Sequence, residues 1–149
     1  GLVINRSAEL KAPDLFSSID ILKSYNEKIY IGGPVSQSMV FYLFRSSQDV
    51  GDLDEVCSGV YLGSSLETLE SIYLDIDYQK ENIRFYLGYS GWSGGQLDGE
   101  MKQNSWLIQS ADEQIVFLDS EDLMWPRAVN SLGEEYQYLT KAPVNPQWN

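Results

Sequence analysis

The stretch that decides the fold spans residues 83–97 and reads IRFYLGYSGWSGGQL. It opens with a run that is apolar except for Arg84, and this run predicts a buried strand over 83–87. Leu97 and Met101 then recur at the spacing of one face of a helix. The glycines between strand and helix are Gly88, Gly91, Gly94 and Gly95. The stretch therefore predicts a strand that passes through a glycine-rich turn into a helix.

Apolar runs on either side of this stretch add further elements. Strands are predicted at residues 28–31, 40–44, 59–63, 106–108 and 115–118. Helices are predicted from Pro13 to Asn26, from Ser65 to Tyr73, over 96–104 and from 119 to Gly133. Strands and helices alternate unevenly and without an internal repeat. This order predicts an α+β fold with a mixed sheet.

The composition fits one globular domain over residues 1–149. Hydrophobic residues make up 43% of the chain, and its five Phe, ten Tyr and four Trp are too many for a disordered acidic tail. The apolar segments are spread over the whole length, with no linker longer than a turn. No apolar run approaches the roughly 20 residues that span a bilayer. We therefore expect one folded unit without a membrane-spanning segment.

The charge argues against functions that require binding to a polyanion. The chain has 22 Asp and Glu against 10 Lys and Arg, for a net charge of -12, and it contains no basic run. Binding to a phosphate backbone draws most of its affinity from clustered cations. We therefore expect no direct binding to nucleic acid at physiological salt.

The residue types that the chain lacks exclude several classes of catalytic and metal site. Histidine is absent and Cys57 is the only cysteine, which excludes Ser-His-Asp and Cys-His nucleophiles, most zinc sites and any internal disulfide. Cys57 lies in a β-like run without a neighbouring cation, as expected of a buried small hydrophobe. A single thiol fits a reducing compartment. We therefore expect a cytoplasmic protein that needs no cofactor.

An acidic stretch offers a candidate metal site. Asp49, Asp52, Asp54 and Glu55 crowd a glycine-containing segment, and hard cations prefer carboxylate ligands. The spacing differs from that of an EF-hand loop, which needs alternate acids, a central glycine and a distal glutamate. A solvated acidic loop is the better interpretation, and we predict no metal site.

The glycine-rich turn is the main candidate for a ligand site. A glycine turn between a strand and a helix can present backbone N–H groups to an anion, although the spacing matches neither the dinucleotide fingerprint nor a P-loop. In the alternative interpretation the glycines permit positive φ and close packing while Tyr89 and Trp92 fill a core, and Gly94→Ala and Gly95→Ala then cost stability. The candidate ligand-binding residues are Asn5, Gly32, Gly33, Gly91, Trp92, Ser93, Gly94, Gly95 and Gln96.

Four motifs together resemble the AlgH/YqgE family of bacterial proteins. They are Gly1 to Asn5 (GLVIN), Gly32 to Val35 (GGPV), Leu87 to Leu97 (LGYSGWSGGQL) and Asn104 to Leu107 (NSWL). The resemblance covers essentially the whole chain, but the strand-forming segment that the family carries ahead of the first motif is absent. It implies an α+β fold with a mixed, partly barrel-like sheet flanked by helices, in cytoplasmic proteins regarded as candidate transcriptional regulators. It carries over no catalytic residue.

Two functions follow from these observations as alternatives. The first is a non-enzymatic regulatory or binding module that acts through contacts with a protein partner or a small ligand. The second is an enzyme or small-molecule sensor with its site at the loop from Gly88 to Gln96. Loop N–H groups that converge on an open pocket would favour the second function, whereas a Trp92 side chain that fills that space would favour the first.

Overall fold

The computed structural model of the chain describes residues 1–11, 15–16, 22, 25–48, 50–51, 53–75, 82–111, 113–118 and 120–141. Its strands are β1 (Ser7–Lys11), β2 (Lys28–Ile31), β3 (Val35–Arg45), β4 (Asp54–Cys57), β5 (Val60–Gly63) and β6 (Ile83–Tyr89). Its helices are α1 (Leu66–Asp75), α2 (Gln96–Lys102), α3 (Glu113–Val116) and α4 (Glu121–Leu132), and a 3₁₀ helix follows at Glu134–Lys141. The helix predicted from Pro13 to Asn26 lies largely outside the described residues.

The strands form one mixed sheet of six strands in the order β1-β2-β6-β3-β5-β4. β2 and β6 are parallel, and the other neighbouring pairs are antiparallel. The α+β class predicted from the sequence is confirmed. The resemblance implied a partly barrel-like sheet. The sheet does not close into a barrel, because β1 and β4 lie at its two open edges.

β6 lies inside the sheet because its sequence tolerates burial on both sides. Residues 83–88 are all buried, and successive side chains of a strand point to opposite faces. Phe85 belongs to the core cluster on one face, which we call the closed face, and Tyr86 to the cluster on the other, which we call the open face.

The closed face carries the larger core. Phe85 is fully buried there. Its ring lies near those of Phe16, Tyr25 and Tyr42, at centroid distances of 4.9, 4.9 and 6.2 Å. Aromatic rings at these distances add about 0.5–1.5 kcal/mol per pair beyond the burial of their area. The closed face is therefore the main source of stability in the sheet.

α1 covers the closed face and begins where the sequence predicts it. The Ser65 hydroxyl accepts a hydrogen bond from the Thr68 N–H at 3.2 Å, which satisfies one of the free donors at the helix start. Leu69 and Ile72, three positions apart, are both buried in the closed-face core. The sequence predicts one apolar face for this helix, made of Leu66, Leu69, Ile72 and Tyr73. Leu69 and Ile72 confirm it, whereas Leu66, in the first turn, is 38% exposed.

The open face has a smaller core and contains a buried cation. The Arg84 guanidinium donates a hydrogen bond to the Leu118 carbonyl and lies over the rings of Tyr30 and Phe117, at 5.2 and 5.6 Å from their centroids. These contacts offset part of the cost of burying a charge. Burial also raises the pKa of the Tyr86 hydroxyl, against the opposing effect of the Arg84 charge. Tyr86 is therefore neutral at physiological pH.

Two predicted strands are wrong. Residues 106–108 form no strand and are exposed, and residues 115–116 belong to α3, where Ile115 is buried. Short apolar runs do not distinguish a strand from a buried helical turn or a surface loop. The predictions also missed β1, β4 and the first half of β3, because all three are rich in polar residues and lack a long apolar run.

Candidate functional site

An apolar cleft of about 600 Å³ lies on the open face of the sheet. β3, β4 and β5 contribute its floor, and the first residues of the chain and α3 contribute its walls. Its lining residues are Gly1, Leu2, Ile4, Met39, Phe41, Leu43, Val56, Cys57, Leu62, Tyr89, Ala111 and Val116. None of these side chains is charged. The cleft is therefore suited to a ligand that buries apolar surface.

The floor of the cleft follows from the alternation of β3. Met39, Phe41 and Leu43 are two positions apart and so share the open face. The register places Phe41 opposite Tyr86, and its ring meets that of Tyr89 edge on, with centroids 5.8 Å apart. Met39 is 46% exposed. The apolar floor of the cleft is therefore partly exposed to solvent.

The first residues of the chain form one wall because backbone hydrogen bonds hold them to the sheet. The Gly1 amino group donates to the Ser90 carbonyl at 2.9 Å, and the Ser90 N–H donates to the Gly1 carbonyl at 2.8 Å. The Val3 N–H donates to the Gly32 carbonyl, also at 2.8 Å. Leu2 packs on the open-face core and lines the cleft.

The glycines of β6 and of the turn after β2 allow their backbones to come very close. A Cβ at Gly32 would lie 2.4 Å from the Gly88 carbonyl oxygen, and a Cβ at Gly33 would lie 2.2 Å from the Tyr89 carbonyl carbon. Gly88 itself has a φ of 66°, a conformation that favours glycine. These positions form a packed turn.

Glu100 joins the glycine-rich loop to α2. Its Oε2 accepts hydrogen bonds from the indole N–H groups of Trp92 and Trp106 at 3.2 and 2.8 Å, and its Oε1 accepts one from the Gln96 amide at 3.0 Å. The two indoles meet at a centroid distance of 5.7 Å. The hydrogen bonds from Gln96 and then Trp106 lower the pKa of Glu100. Glu100 is thus the acceptor around which the loop is ordered.

Several polar groups of the loop are used within the chain. The Ser93 N–H donates to the Gln96 side-chain oxygen at 3.1 Å, and the Gln96 N–H donates to the Ser93 carbonyl at 3.0 Å. A Cβ at Gly1 would lie 3.3 Å from the Trp92 ring, so the indole fills the space beside the end of the cleft. This arrangement favours the packed turn over an open anion site.

None of the predicted ligand-binding residues lines the cleft. Three of them, Gly32, Gly33 and Gly91, lie at or beside the packed turn. Trp92, Ser93 and Gln96 belong to the hydrogen-bond network of the loop. The other three, Asn5, Gly94 and Gly95, are exposed to solvent. The structure therefore brings Trp92 to Gly1 and the two turn glycines to β6. A ligand-binding role for these residues stays a prediction.

No pattern in the sequence predicts the cleft. Its β3 residues stand in the run MVFYLF, where every position is apolar and the alternation of faces is hidden. Cys57, predicted to be a buried small hydrophobe, is only partly buried and lines the cleft. No local pattern predicts a cleft whose lining comes from segments that lie far apart in the chain.

The carboxylates of the described residues are spread over the surface rather than gathered into a metal site. Within them, no group of three or more His, Cys, Asp or Glu side chains is arranged to hold a metal ion. Asp49 and Asp52 of the acidic stretch lie outside the described ranges, and Asp54 and Glu55 belong to β4. Among the same residues, no helix is both long and apolar enough to cross a membrane.

Glu100→Ala is expected to shift the tryptophan emission to longer wavelength and to increase its quenching by acrylamide. The substitution removes the shared acceptor of Trp92 and Trp106, so both indoles become more mobile and more hydrated. Asp98→Ala, on the same helix and exposed, is the matched control and should leave the emission unchanged. Equal spectra for the two variants would show that Glu100 does not order the loop.

The same measurement on acidification tests the direction of the Glu100 pKa. Folding lowers this pKa below its ordinary value of 4.5. The stabilisation is therefore full above about pH 4.5 and is lost as the pH falls through the lower pKa of the folded state. Below that point the wild-type emission should move towards that of Glu100→Ala, and the variant should lack this transition.

The chain matches one family model and is similar in sequence to proteins of other organisms. A family model described as AlgH-like matches residues 1–137. A UPF0301 protein of Chlorobium phaeobacteroides is 33% identical over 149 residues, which cover 100% of this chain and 78% of the relative. A UPF0301 protein of Cytophaga hutchinsonii is 29% identical over 150 residues, with 100% of this chain and 81% of the relative covered.

Two solved structures are similar to the chain. The solution structure of the AlgH protein from Pseudomonas aeruginosa has a TM-score of 0.67 and 28% sequence identity, over 97% of this chain and 78% of that one. The crystal structure of a protein from Corynebacterium diphtheriae has a TM-score of 0.76 and 18% identity, over 94% and 74%. At 18% identity the likeness shows the fold alone.

Proposed function

The chain belongs to the AlgH-like family, and from the cleft on its sheet we propose that it is a non-enzymatic binding or regulatory module. In this proposal it works in the cytoplasm through contacts with a protein partner or a small ligand. The cleft is the contact site, and the partner contributes apolar groups that fill it.

The observation that supports the proposal is the chemical character of the cleft. Its volume falls within the roughly 300–1,000 Å³ of known ligand pockets. Its lining side chains include no carboxylate, guanidinium or ammonium group, and Cys57 and Tyr89 supply only a thiol and a phenol. Acid–base catalysis needs a proton acceptor within hydrogen-bond reach of the reacting group. A lining without charged side chains favours binding over catalysis.

The charge of the chain supports a partner other than nucleic acid. A net charge of -12 repels a phosphate backbone. On the open face, Arg84 is buried, and Arg45 is only partly buried and keeps its charge, since its acceptor is the neutral Asn82 side chain. A regulatory effect in this proposal therefore runs through a protein or a small ligand.

The alternative of an enzyme or sensor at the loop from Gly88 to Gln96 has weaker support. The N–H groups of Ser90, Ser93 and Gln96 all donate within the chain. α2 has only seven residues, so the helix start contributes little to anion binding. A sensor at this loop would first have to break the hydrogen bonds that order it.

A neutral fluorescent hydrophobe, N-phenyl-1-naphthylamine, tests the proposed function. We expect the wild-type protein to bind it with increased fluorescence, because the probe exchanges water for the apolar lining of the cleft. Ala111→Trp places an indole at the exposed mouth of the cleft and should weaken binding by about tenfold. Equilibrium titration of wild type and variant measures the effect.

Asn130→Trp is the matched control for this titration. Asn130 is exposed on α4 and is not part of the cleft lining, so the same added indole should leave the affinity unchanged. Absence of probe binding to the wild type would overturn the proposed function. Equal weakening by the two variants would show that the probe binds elsewhere.

A further inference from the structure

A buried cation on the open face has no anionic partner among the described residues. Arg84 is 9% exposed. Its guanidinium donates a hydrogen bond to the Leu118 carbonyl, while its Nη1 has no hydrogen-bond partner. The ion pair that forms within the described part of the chain joins Lys28 to Glu121. A buried charge is normally paired with an opposite charge, because its removal from water is costly. Arg84 can therefore bind an anion.

The hydroxyl of Tyr86 is a second unpartnered group beside this cation. Tyr86 is 0% exposed, and its hydroxyl forms no hydrogen bond. Arg84 and Tyr86 are two positions apart in β6, so both side chains lie on the open face. Burial raises the pKa of the Tyr86 hydroxyl and the nearby Arg84 charge acts against it. A carboxylate has two oxygens, so it can accept a hydrogen bond from each of the two groups.

This unpartnered pair, Arg84 with Tyr86, lies next to the floor of the cleft. In the register of β3 and β6, Leu43 stands opposite Arg84 and Phe41 opposite Tyr86. Side chains that stand opposite each other in an antiparallel pair share one face, with Cβ atoms about 5 Å apart. Leu43 and Phe41 both line the cleft. The unpartnered pair is therefore one strand away from the cleft floor.

The end of α3 covers Arg84. The Phe117 ring centroid lies 5.6 Å from the guanidinium, and Leu118 supplies its acceptor. Val116, the residue before them, lines the cleft. α3 has only four residues, and so short a helix has little stability of its own. A movement of residues 116–118 would therefore connect the unpartnered pair with the cleft.

We propose that the cleft binds a small amphipathic carboxylate, whose apolar chain fills the cleft and whose carboxylate accepts hydrogen bonds from Arg84 and the Tyr86 hydroxyl. This inference rests on the proposed binding function and specifies its ligand. Residues 116–118 move when the ligand enters, and the new ion pair offsets the loss of the Leu118 hydrogen bond. A carboxylate at the end of a slim chain reaches a buried pair, whereas the side chains of a docked protein segment meet the exposed surface.

The net charge of -12 does not prevent an anion from binding at this place. Charges on the surface are largely screened beyond about 8 Å at physiological salt, whereas a buried pair is screened much less. The partner that decides the binding of the carboxylate is therefore the guanidinium of Arg84, which it contacts directly.

Competition of decanoate and decanol with bound N-phenyl-1-naphthylamine tests the inference. The two competitors have the same chain and differ in the end group. Decanoate should displace the probe from the wild type at about tenfold lower concentration than decanol. Arg84→Met should abolish this preference, and Tyr86→Phe should reduce it by about threefold. Both variants should still bind the neutral probe, because an apolar side chain of similar volume is tolerated in place of a buried charge.

Arg45→Met is the matched control. It also removes one positive charge from the open face, and the Arg45 guanidinium likewise lies over the Phe117 ring, at 5.1 Å from its centroid. Arg45 donates to the neutral Asn82 side chain through Nε and Nη2 and is not part of the unpartnered pair. The preference for decanoate should therefore persist in this variant.

The possible outcomes separate this inference from the proposed function. Equal loss of preference in Arg45→Met and Arg84→Met would overturn the assignment to Arg84. Should Arg84→Met fail to bind the probe, Tyr86→Phe decides, and an unchanged preference in it would overturn the inference. Equal displacement by decanoate and decanol, as expected where a water molecule satisfies both groups, would overturn the carboxylate ligand and leave the proposed function standing. Absence of probe binding to the wild type would overturn both.

Discussion

Gly33→Ala is expected to destabilise the fold by about 3 kcal/mol. A Cβ at this position would lie 2.2 and 2.3 Å from the carbonyl carbon and oxygen of Tyr89, and 2.4 Å from the Ser90 nitrogen. These are backbone atoms at the end of β6, so they cannot move aside as the tip of a flexible side chain can. Relief of the clash must separate the turn after β2 from β6. Denaturant unfolding measures the change in the free energy of unfolding.

Gly94→Ala is the matched control, since a Cβ there meets no atom within 4 Å. We expect a change within about 0.5 kcal/mol. Gly95 also faces open space but has a φ of 76°, so Gly95→Ala should cost about 1–2 kcal/mol. The geometry supports the sequence-based expectation for Gly95 and not for Gly94. Equal costs at Gly33 and Gly94 would contradict the close packing of the turn on β6.

The parts of the fold that the sequence predicts are those with a local physical cause. β6 is recognised because its apolar run is uninterrupted except at Arg84, and α1 because apolar residues such as Leu69 and Ile72 recur at helical spacing after Ser65. β2 is recognised with its observed bounds, Lys28–Ile31. Strand 106–108 was predicted on the same kind of local signal and is wrong, because no neighbouring strand pairs with it in the described part of the chain.

Only part of the candidate site could be predicted from the sequence. The motif around Trp92 identifies the family and the packed turn, but its role depends on the hydrogen bonds that Glu100 accepts, and no sequence pattern predicts them. The cleft depends on contacts between residues far apart in the chain, such as Gly1 with Ser90. Periodicity along one segment carries no information on which parts of a sheet remain uncovered.

Phe85→Ala is expected to cost about 3–5 kcal/mol, the other large effect that we predict. Phe85 is 0% exposed, and its ring is surrounded by those of Phe16, Tyr25 and Tyr42. The truncation removes these contacts and leaves a cavity that three rigid rings cannot close. Denaturant unfolding gives the loss, and Phe85→Leu, which keeps most of the volume, should cost less than Phe85→Ala.

Phe41→Ala separates stability from binding. Phe41 lies on the open face, is only partly buried and lines the cleft, so its truncation adds to existing open space and should cost less than about 2 kcal/mol. The same change should weaken binding of the neutral hydrophobe, because it removes apolar floor. Phe85→Leu should leave that affinity unchanged, since Phe85 is on the closed face. If Phe41→Ala proved as destabilising as Phe85→Ala, the open face would be a closed core, and the cleft would not exist in solution.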